Sequence, residues 1–287
     1  MLMASTILSG NNYQKVALLA KFINLGLRHR TTFQKIQGHF VAPTVEQYWS
    51  NIQASAIEET RATNVVISGD GRMGSPGHCA KFCTYTCMNQ QPKGILAMEV
   101  VDKRECQLKS TVMETFAFKK AFSGLLKEGV QVVEVVTDAH SQISSLMKKE
   151  HGKIKHSWGM WNGAKNLGKK LFAVAQERGN ESLRPWVEPV VNHFYHAAET
   201  CEGDALKLSM KMVAVLNHTA NVHRWILGEC DHEDHDEDQD RGNKQWLDPT
   251  GHEIVALEKV VRDTRFLGNL HHYTTCQYVS ASLLKEC

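Results

Sequence analysis

The sequence lacks the features that mark membrane and secreted proteins. None of its apolar runs approaches the roughly 20 residues that a membrane-spanning helix requires. Residues 1–10 have neither the basic start nor the sustained apolar stretch of a secretory signal peptide. We therefore expect a soluble, intracellular protein that has no membrane partner.

The chain also has little net charge and no extreme of composition. Its 287 residues carry 33 Lys and Arg against 31 Asp and Glu, and 42% are hydrophobic, which excludes a globally disordered chain. Seven of the acids lie in residues 231–240, DHEDHDEDQD, leaving 24 for the rest of the chain. The remainder is mildly basic, which suits nucleic-acid binding but is as common in proteins without that role.

The eight cysteines do not indicate disulfides. The chain has its own hydrophobic content and no secretory signal, so reduced thiols are expected. Cys79, Cys83 and Cys87 are four residues apart, which places them on one face of a strand. Free cysteines are usually small buried hydrophobes, and we interpret these three in that way.

Changes in residue pattern divide the chain into four regions. Residues 1–62 have helical spacing, and residues 63–180 read as three strands, helix, strand, helix, strand and helix. Residues 181–252 form a helical insertion with an acidic loop, and residues 253–287 an incomplete C-terminal helix that returns to the core. The order predicts an α/β fold with a mixed sheet flanked by helices.

Two helices are predicted in the N-terminal segment. Pro43 is suited to the first turn of the second helix. The apolar residues of that helix recur at helical spacing and predict its inner face: Val45, Tyr48, Trp49 and Ile52. The segment is interpreted as a helical cap or as the end of a domain that lies upstream.

Two aspartates each follow a predicted strand. Asp70 comes after the first strand and Asp138 after the fourth, an almost wholly apolar strand typical of one covered on both faces. If these strands are parallel neighbours, both acids emerge at one edge of the sheet, where divalent ions would offset their repulsion. Alternatively, Asp70 belongs to an ordinary Asp-Gly turn and Asp138 caps the helix that follows.

These acids lie within a series of motifs that resembles the RNase H-like, DDE-type transposases of cut-and-paste elements, particularly the Kolobok and P-element-like branches. The motifs occur in order along most of the chain: residues 68–72, SGDGR; 75–81, SPGHCAK; 100–104, VVDKR; 137–140, TDAH; and 156–158, HSW. The resemblance implies an RNase H-like core, DNA as partner, a nuclear location and a homo-oligomeric assembly.

In such enzymes three acids hold two Mg²⁺ or Mn²⁺ ions for DNA strand cleavage and transfer. The resemblance assigns Asp70 and Asp138 to the first two acids and predicts a third on a late helix. Only Glu286 is available near the C-terminus, and we do not assign it. Gly74 stands where an acid is common, and Asn162 follows Trp161 where a histidine is usual.

A second set of residues has the chemistry of a zinc site. His218, His223, Cys230 and His232 lie within fifteen residues, and imidazole and thiolate are zinc ligands. Their spacing matches no standard zinc finger. The alternative is that His218 and His223 lie on a helix surface and that His232 belongs to the solvated acidic loop.

Basic residues near the aromatic segment are candidates for contact with DNA. Lys165, Lys169 and Lys170 follow the Trp158/Trp161 segment, and lysines beside aromatic rings bind a backbone while a base stacks. The alternative is a solvated helix face over buried tryptophans. Arg72 joins this set through the SGDGR motif.

Three functions follow from these observations. The first is a DDE-type transposase core, degenerate or truncated, that acts on DNA with two divalent ions. The second is a domesticated, non-catalytic module that binds DNA or protein. The third is an RNase H-like nuclease that acts on another nucleic acid.

Overall fold

The computed structural model describes residues 2–75, 79–226, 228–230 and 244–277. Its contacts divide the chain into two compact units, residues 1–61 and residues 62–287. The acidic run at 231–240, together with His232 and Glu286, lies outside the described residues.

The first unit consists of helices α1 (Leu2–Leu8), α2 (Tyr13–Phe22), α3 (Arg30–Ile36) and α4 (Ala42–Thr60), with a π-helical turn, Gln37–Val41, before α4. Asn12 caps α2 by accepting a hydrogen bond from the Lys15 amide at 3.0 Å. The small core of the unit is formed by Ala20, Phe33, Val41, Ile57 and two threonines, Thr6 and Thr60.

The predicted inner face of α4 is wrong. Val45 is 45% exposed, Tyr48 68% and Ile52 42%, and only Trp49 is partly covered. The buried apolar residues lie instead near the ends of the helix, at Val41 and Ile57. Apolar spacing shows that a helix has one apolar face, but a unit of about 60 residues has too few residues to bury all of that face.

The second unit is built on a five-stranded mixed sheet. Its strands are β1 (Asn64–Met73), β2 (Phe82–Asn89), β3 (Gly94–Asp102), β4 (Gln131–Thr137) and β5 (Lys155–Trp158). Their order is β3-β2-β1-β4-β5; β1 to β3 pair antiparallel, while β4 pairs parallel with both β1 and β5. The predicted α/β class, with a mixed sheet flanked by helices, is confirmed.

Helix α5 (Met113–Lys127) covers one face of this sheet. Phe118 and Phe122 are fully buried and stack on each other, and Tyr85 of β2 meets Phe118 edge to face. Residues Ser110–Val112 form a 3₁₀ turn immediately before α5. Gly129, at φ +84°, ends the helical region in the left-handed conformation that glycine tolerates.

A helical layer follows the sheet. It comprises α6 (Ser141–Glu150), α7 (Met160–Ala175), α8 (Val187–Thr200), α9 (Ala205–Thr219), a hairpin of β6 (Arg224–Trp225) and β7 (Gly228–Glu229), α10 (His252–Val261) and α11 (Thr264–Asn269). One buried cluster joins most of them and includes Leu171, Trp186, Phe194, Met212 and Leu257. In the described ranges, no helix is both long and apolar enough to cross a membrane.

The segment after α11 returns to the sheet beside β5. Thr275 donates its hydroxyl proton to buried Glu134 of β4 at 2.6 Å, and Ser157 of β5 donates to the same carboxylate. The Met160 amide, at the start of α7, donates to the Gln277 carbonyl at 2.8 Å. The last described residues therefore lie next to the edge of the sheet at which β4 and β5 end.

Candidate functional site

The structure places Asp70 and Asp138 next to each other. Ser68 of β1 is level with Val136 of the parallel strand β4. Each aspartate lies two residues further along its own strand direction, so both lie just beyond the last β1–β4 pair. Asp138 directly follows β4 as predicted, but Asp70 lies inside β1, which continues to Met73 along β2, and not after the strand. This is the edge of a sheet at which the ends of parallel strands commonly form sites.

A third carboxylate, Glu114, completes the group. It lies in the first turn of α5, and its side chain packs directly on Gly71, where an added Cβ would come within 2.5 Å of Glu114 Cγ. Glycine at position 71 is therefore what allows the helix to bring this carboxylate close to β1, next to Asp70. We did not identify Glu114 from the sequence.

The three carboxylates affect one another's protonation. Burial, reinforced by the charges of Asp70 and Asp138, raises the pKa of Glu114 to about 7. Burial followed by the charge of Asp138 raises the pKa of Asp70, and burial raises the pKa of Asp138. Burial is the first cause in all three cases, and like charges add to it at Glu114 and Asp70.

Two neighbours act on the charges of this group. The Asn162 amide, on the first turn of α7, donates a hydrogen bond to Asp138 Oδ1, which lowers the pKa of that carboxyl against the effect of burial. His140 Nε2 lies 3.8 Å from Glu114 Oε2, and burial lowers the pKa of His140. Asn162 occupies the place where the resemblance expects histidine.

Beneath the acids, Tyr85 carries an unpartnered hydroxyl. Tyr85 is fully buried on β2, against Gly69. Among the described residues, its Oη is the one buried side-chain N or O atom without a hydrogen-bond partner. Burial, with the nearby negative charges, raises its pKa well above the usual value. A second tyrosine, Tyr273, packs on Gly163 of α7, and burial together with Asp138 raises its pKa to about 12.

The acidic group, defined as Asp70, Glu114 and Asp138, fits hard divalent cations. Carboxylate oxygens are the ligands that Mg²⁺ and Mn²⁺ prefer. The ligand atoms of the three acids do not all lie within 4.8 Å of one another, so the group is wider than a closed single-ion site.

The predicted basic residues have different surroundings. Lys165 Nζ lies 4.3 Å from the ring centroid of Trp161, which is 57% exposed and precedes Asn162. Lys170 Nζ lies 3.6 Å from Asp263 Oδ1. Lys169 is exposed, and so is Arg72, two residues after Asp70. Trp161 and Lys165 therefore form an aromatic and cationic surface next to Asn162, the residue that donates a hydrogen bond to Asp138 of the acidic group.

Three of the four predicted zinc ligands come together elsewhere in the second unit. The ligand atoms of His218, His223 and Cys230 lie within 4.8 Å of one another, and no other described set of three His, Cys, Asp or Glu residues meets that criterion. The fourth predicted ligand, His232, lies outside the described residues.

None of the described cysteines forms a disulfide; Cys83 and Cys87 are buried, as predicted, whereas Cys79 is exposed. Comparison of the chain with protein-family models and with curated protein sequences finds no match to either.

Proposed function

We propose that this protein has an RNase H-like core and acts on DNA as a DDE-type, transposase-like nuclease or strand-transfer domain. The observation that carries the proposal is the acidic group, in which three carboxylates from β1, α5 and the residue after β4 come together. Burial raises the pKa of all three, and the charge of Asp138 adds to the effect at Asp70 and Glu114. Such a protein would act in the nucleus, on DNA bound by one or more copies of the chain.

The topology supports an RNase H-like core. Three antiparallel strands lead through one helix into a fourth strand, which pairs parallel with the first at the centre of the sheet. The same topology brings Asp70 and Asp138, 68 positions apart, to one edge. An ordinary turn aspartate or helix cap would not need a buried third carboxylate beside it.

Asp70, Asp138 and Glu114 would hold Mg²⁺ or Mn²⁺. When bound, such ions activate an attacking water or hydroxyl and stabilise the leaving oxygen of a phosphodiester. Asn162 holds the Asp138 carboxylate in place and favours its ionised form. Gly71 provides the space that Glu114 occupies.

The surface beside the acidic group suits a nucleic-acid strand. Trp161 presents an exposed indole on which a base can stack, and Lys165 places a positive charge next to that ring. Lys169 and Arg72 are exposed and available to phosphates, whereas Lys170 is paired with Asp263. The strand would therefore pass over the start of α7 toward Asp138.

A cleavage assay with Mn²⁺ tests this proposal. The full chain should nick DNA when Mn²⁺ is present, and Asp70→Asn, Glu114→Gln and Asp138→Asn should each abolish nicking because the ions lose a ligand. Asp248→Asn is the matched control, since Asn can accept the backbone hydrogen bond that Asp248 receives from Thr250. Nicking that survives all three changes would place the chemistry elsewhere, and cleavage of an RNA–DNA hybrid alone would favour a nuclease with another substrate.

The second candidate is a module that binds DNA or protein without cutting it. The observation in its favour is Asn162, since this amide contacts Asp138 in the place of the expected histidine. On this account DNA binding persists in Mn²⁺ without any nicking, and Asp138→Asn leaves the affinity for DNA unchanged.

A further inference from the structure

The β6–β7 hairpin brings a histidine and a cysteine together beside α9. His223 directly precedes β6 and Cys230 directly follows β7, and the Cys230 amide donates to the His223 carbonyl at 2.9 Å. His218 lies in the last turn of α9. The hairpin thus brings His223 and Cys230, which flank its two strands, close to His218 of α9. All three side chains are potential zinc ligands.

The separation of these groups matches the edge of a zinc tetrahedron. Cys230 Sγ lies 3.6 Å from His218 Nδ1. Bonds of about 2.3 Å for zinc–sulfur and about 2.0–2.1 Å for zinc–nitrogen, at a tetrahedral angle, place the two ligand atoms roughly 3.5–3.6 Å apart. The sulfur and the nitrogen therefore already lie at the separation that a shared Zn²⁺ would impose.

The surroundings of His223 are those of a metal ligand. Its Nε2 lies 3.2 Å from Asn221 Oδ1, which can accept a hydrogen bond from this nitrogen in the tautomer whose Nδ1 would bind a metal. Histidine ligands usually have an oxygen acceptor on their second nitrogen, because it fixes the tautomer and the ring orientation. Asn221 holds this position at φ +60°, a conformation that asparagine tolerates better than most residues.

Aromatic rings cover the histidines. The rings of His218 and His223 lie 5.1 Å apart and nearly perpendicular, so both can point a nitrogen at one centre. Trp246 meets both imidazoles edge to face, and Trp186 meets His218 in the same way. This apolar cover lowers the local dielectric and strengthens a bond between an ion and its ligands.

We propose that His218, His223 and Cys230 bind one Zn²⁺, which fixes the β6–β7 hairpin to the end of α9. Two imidazoles and a thiolate select zinc over Mg²⁺ and Ca²⁺, which prefer oxygen ligands. A cavity of about 420 Å³ borders His218 and Cys230, which gives the ion a path of entry and provides room for a water at its fourth position. This site is independent of the acidic group and of the proposed function.

Cobalt substitution tests the thiolate bond directly. Full-length protein stripped of metal and loaded with Co²⁺ should show a thiolate-to-cobalt charge-transfer band in the near ultraviolet. Residues 231–240 are rich in aspartate and histidine but contain no cysteine, so adventitious binding there cannot produce this band. A cobalt-loaded wild-type protein without the band would overturn the proposal, whatever the variants do.

Metal analysis of variants identifies the ligands. Wild-type protein should retain about one zinc per chain after dialysis, and Cys230→Ser and His218→Asn should each retain less than about a tenth of that. Cys79→Ser, at an exposed free cysteine, is the matched control and should keep its zinc, as should Asp138→Asn. Zinc contents that are equal in Cys230→Ser and Cys79→Ser would also contradict the proposal.

Discussion

The two candidate metal sites of the second unit are built in opposite ways. The acidic group draws Asp70, Glu114 and Asp138 from two strands and a helix spread over 69 residues of chain, while the His218/His223/Cys230 cluster comes from 13 consecutive residues. Without a cation, the first group concentrates like charges. The second consists of groups that need carry no charge until a metal binds.

This difference determines what each site costs the folded protein. The carboxylates of the acidic group resist ionisation, as their raised pKa values show, so folding without a cation loses free energy at neutral pH. Neutral imidazoles and a thiol can lie close together at little cost. We expect the acidic group to respond to pH and to hard ions, and the cluster to respond to soft ones.

The largest expected effect is that a variant at either site loses the property of that site and keeps the property of the other. Asp138→Asn should reduce Mn²⁺-dependent nicking by more than about 100-fold, because replacing even a residue that supports a metal ligand commonly costs 10–100-fold. The same change should leave the zinc content unchanged. Cys230→Ser should lower the zinc content and leave Mn²⁺-dependent nicking unchanged. Nicking and zinc content are measured on the same preparations. A single variant that abolishes both would show that the two sites are not independent.

The next effect is on stability against pH. The folded pKa of Glu114, about 7, lies above that of the unfolded chain, so the folded protein binds this proton more tightly. Relative to Glu114→Gln, the wild type should therefore lose stability as the pH rises from about 4.5 to about 7, by up to about 3 kcal/mol. Urea unfolding in the presence of EDTA, across this range, measures the difference.

Two variants serve as controls for that measurement. Glu128→Gln, at the exposed C-terminal end of the same helix, should follow the wild type at every pH. His140→Asn removes the titratable imidazole whose Nε2 lies 3.8 Å from Glu114 Oε2 and whose pKa is lowered by burial. The difference in unfolding free energy between wild type and Glu114→Gln is compared across this pH range, with and without His140. A difference that does not change with pH would show that Glu114 is not part of a charged group.

A smaller effect is expected from Tyr85. Its buried hydroxyl has no partner among the described residues, so Tyr85→Phe should stabilise the protein by about 1 kcal/mol in the absence of divalent ions. Tyr273→Phe, at the other tyrosine near Asp138, is the comparison. Denaturant midpoints measure both, and a loss of stability in Tyr85→Phe would mean that the hydroxyl has a bound partner such as water.

The smallest effect concerns the lysines beside the acidic group. Lys165→Gln and Lys169→Gln should each lower the slope of log affinity for DNA against log salt by about 1, as expected for one lost phosphate contact. Lys170→Gln should change it less, because Asp263 already pairs with that lysine. Lys127→Gln, exposed at the far end of α5, is the control. Slopes that equal the wild-type slope in all four variants would mean that the start of α7 does not contact DNA.

Much of the sheet could be predicted from the sequence. Val132, Val135 and Val136 are buried in β4, as the apolar run predicts, and the parallel pairing with β1 brings Asp138 level with Asp70. Period-2 and period-3.6 patterns reveal which face of an element is apolar, and alternation of elements limits how they connect.

Glu114 could not be predicted in the same way. It is one of several acids on predicted helices, and its position depends on how the first turn of α5 packs on Gly71 of β1, a tertiary contact without a local pattern. A signal was present in the Asp-Gly pair, since a glycine next to a catalytic candidate often marks a close approach. The exposed face of α4 was mispredicted for a related reason, because spacing does not identify what covers a helix.

The most direct test of the account is a Mn²⁺ titration of the zinc-loaded protein at neutral pH, followed by electron paramagnetic resonance of the free ion. The account predicts binding by wild type that releases protons, because Glu114 must ionise, with unchanged binding by Asp248→Asn and a loss in both Glu114→Gln and Asp138→Asn. Equal binding by wild type and the two acidic-group variants, without proton release, would contradict it.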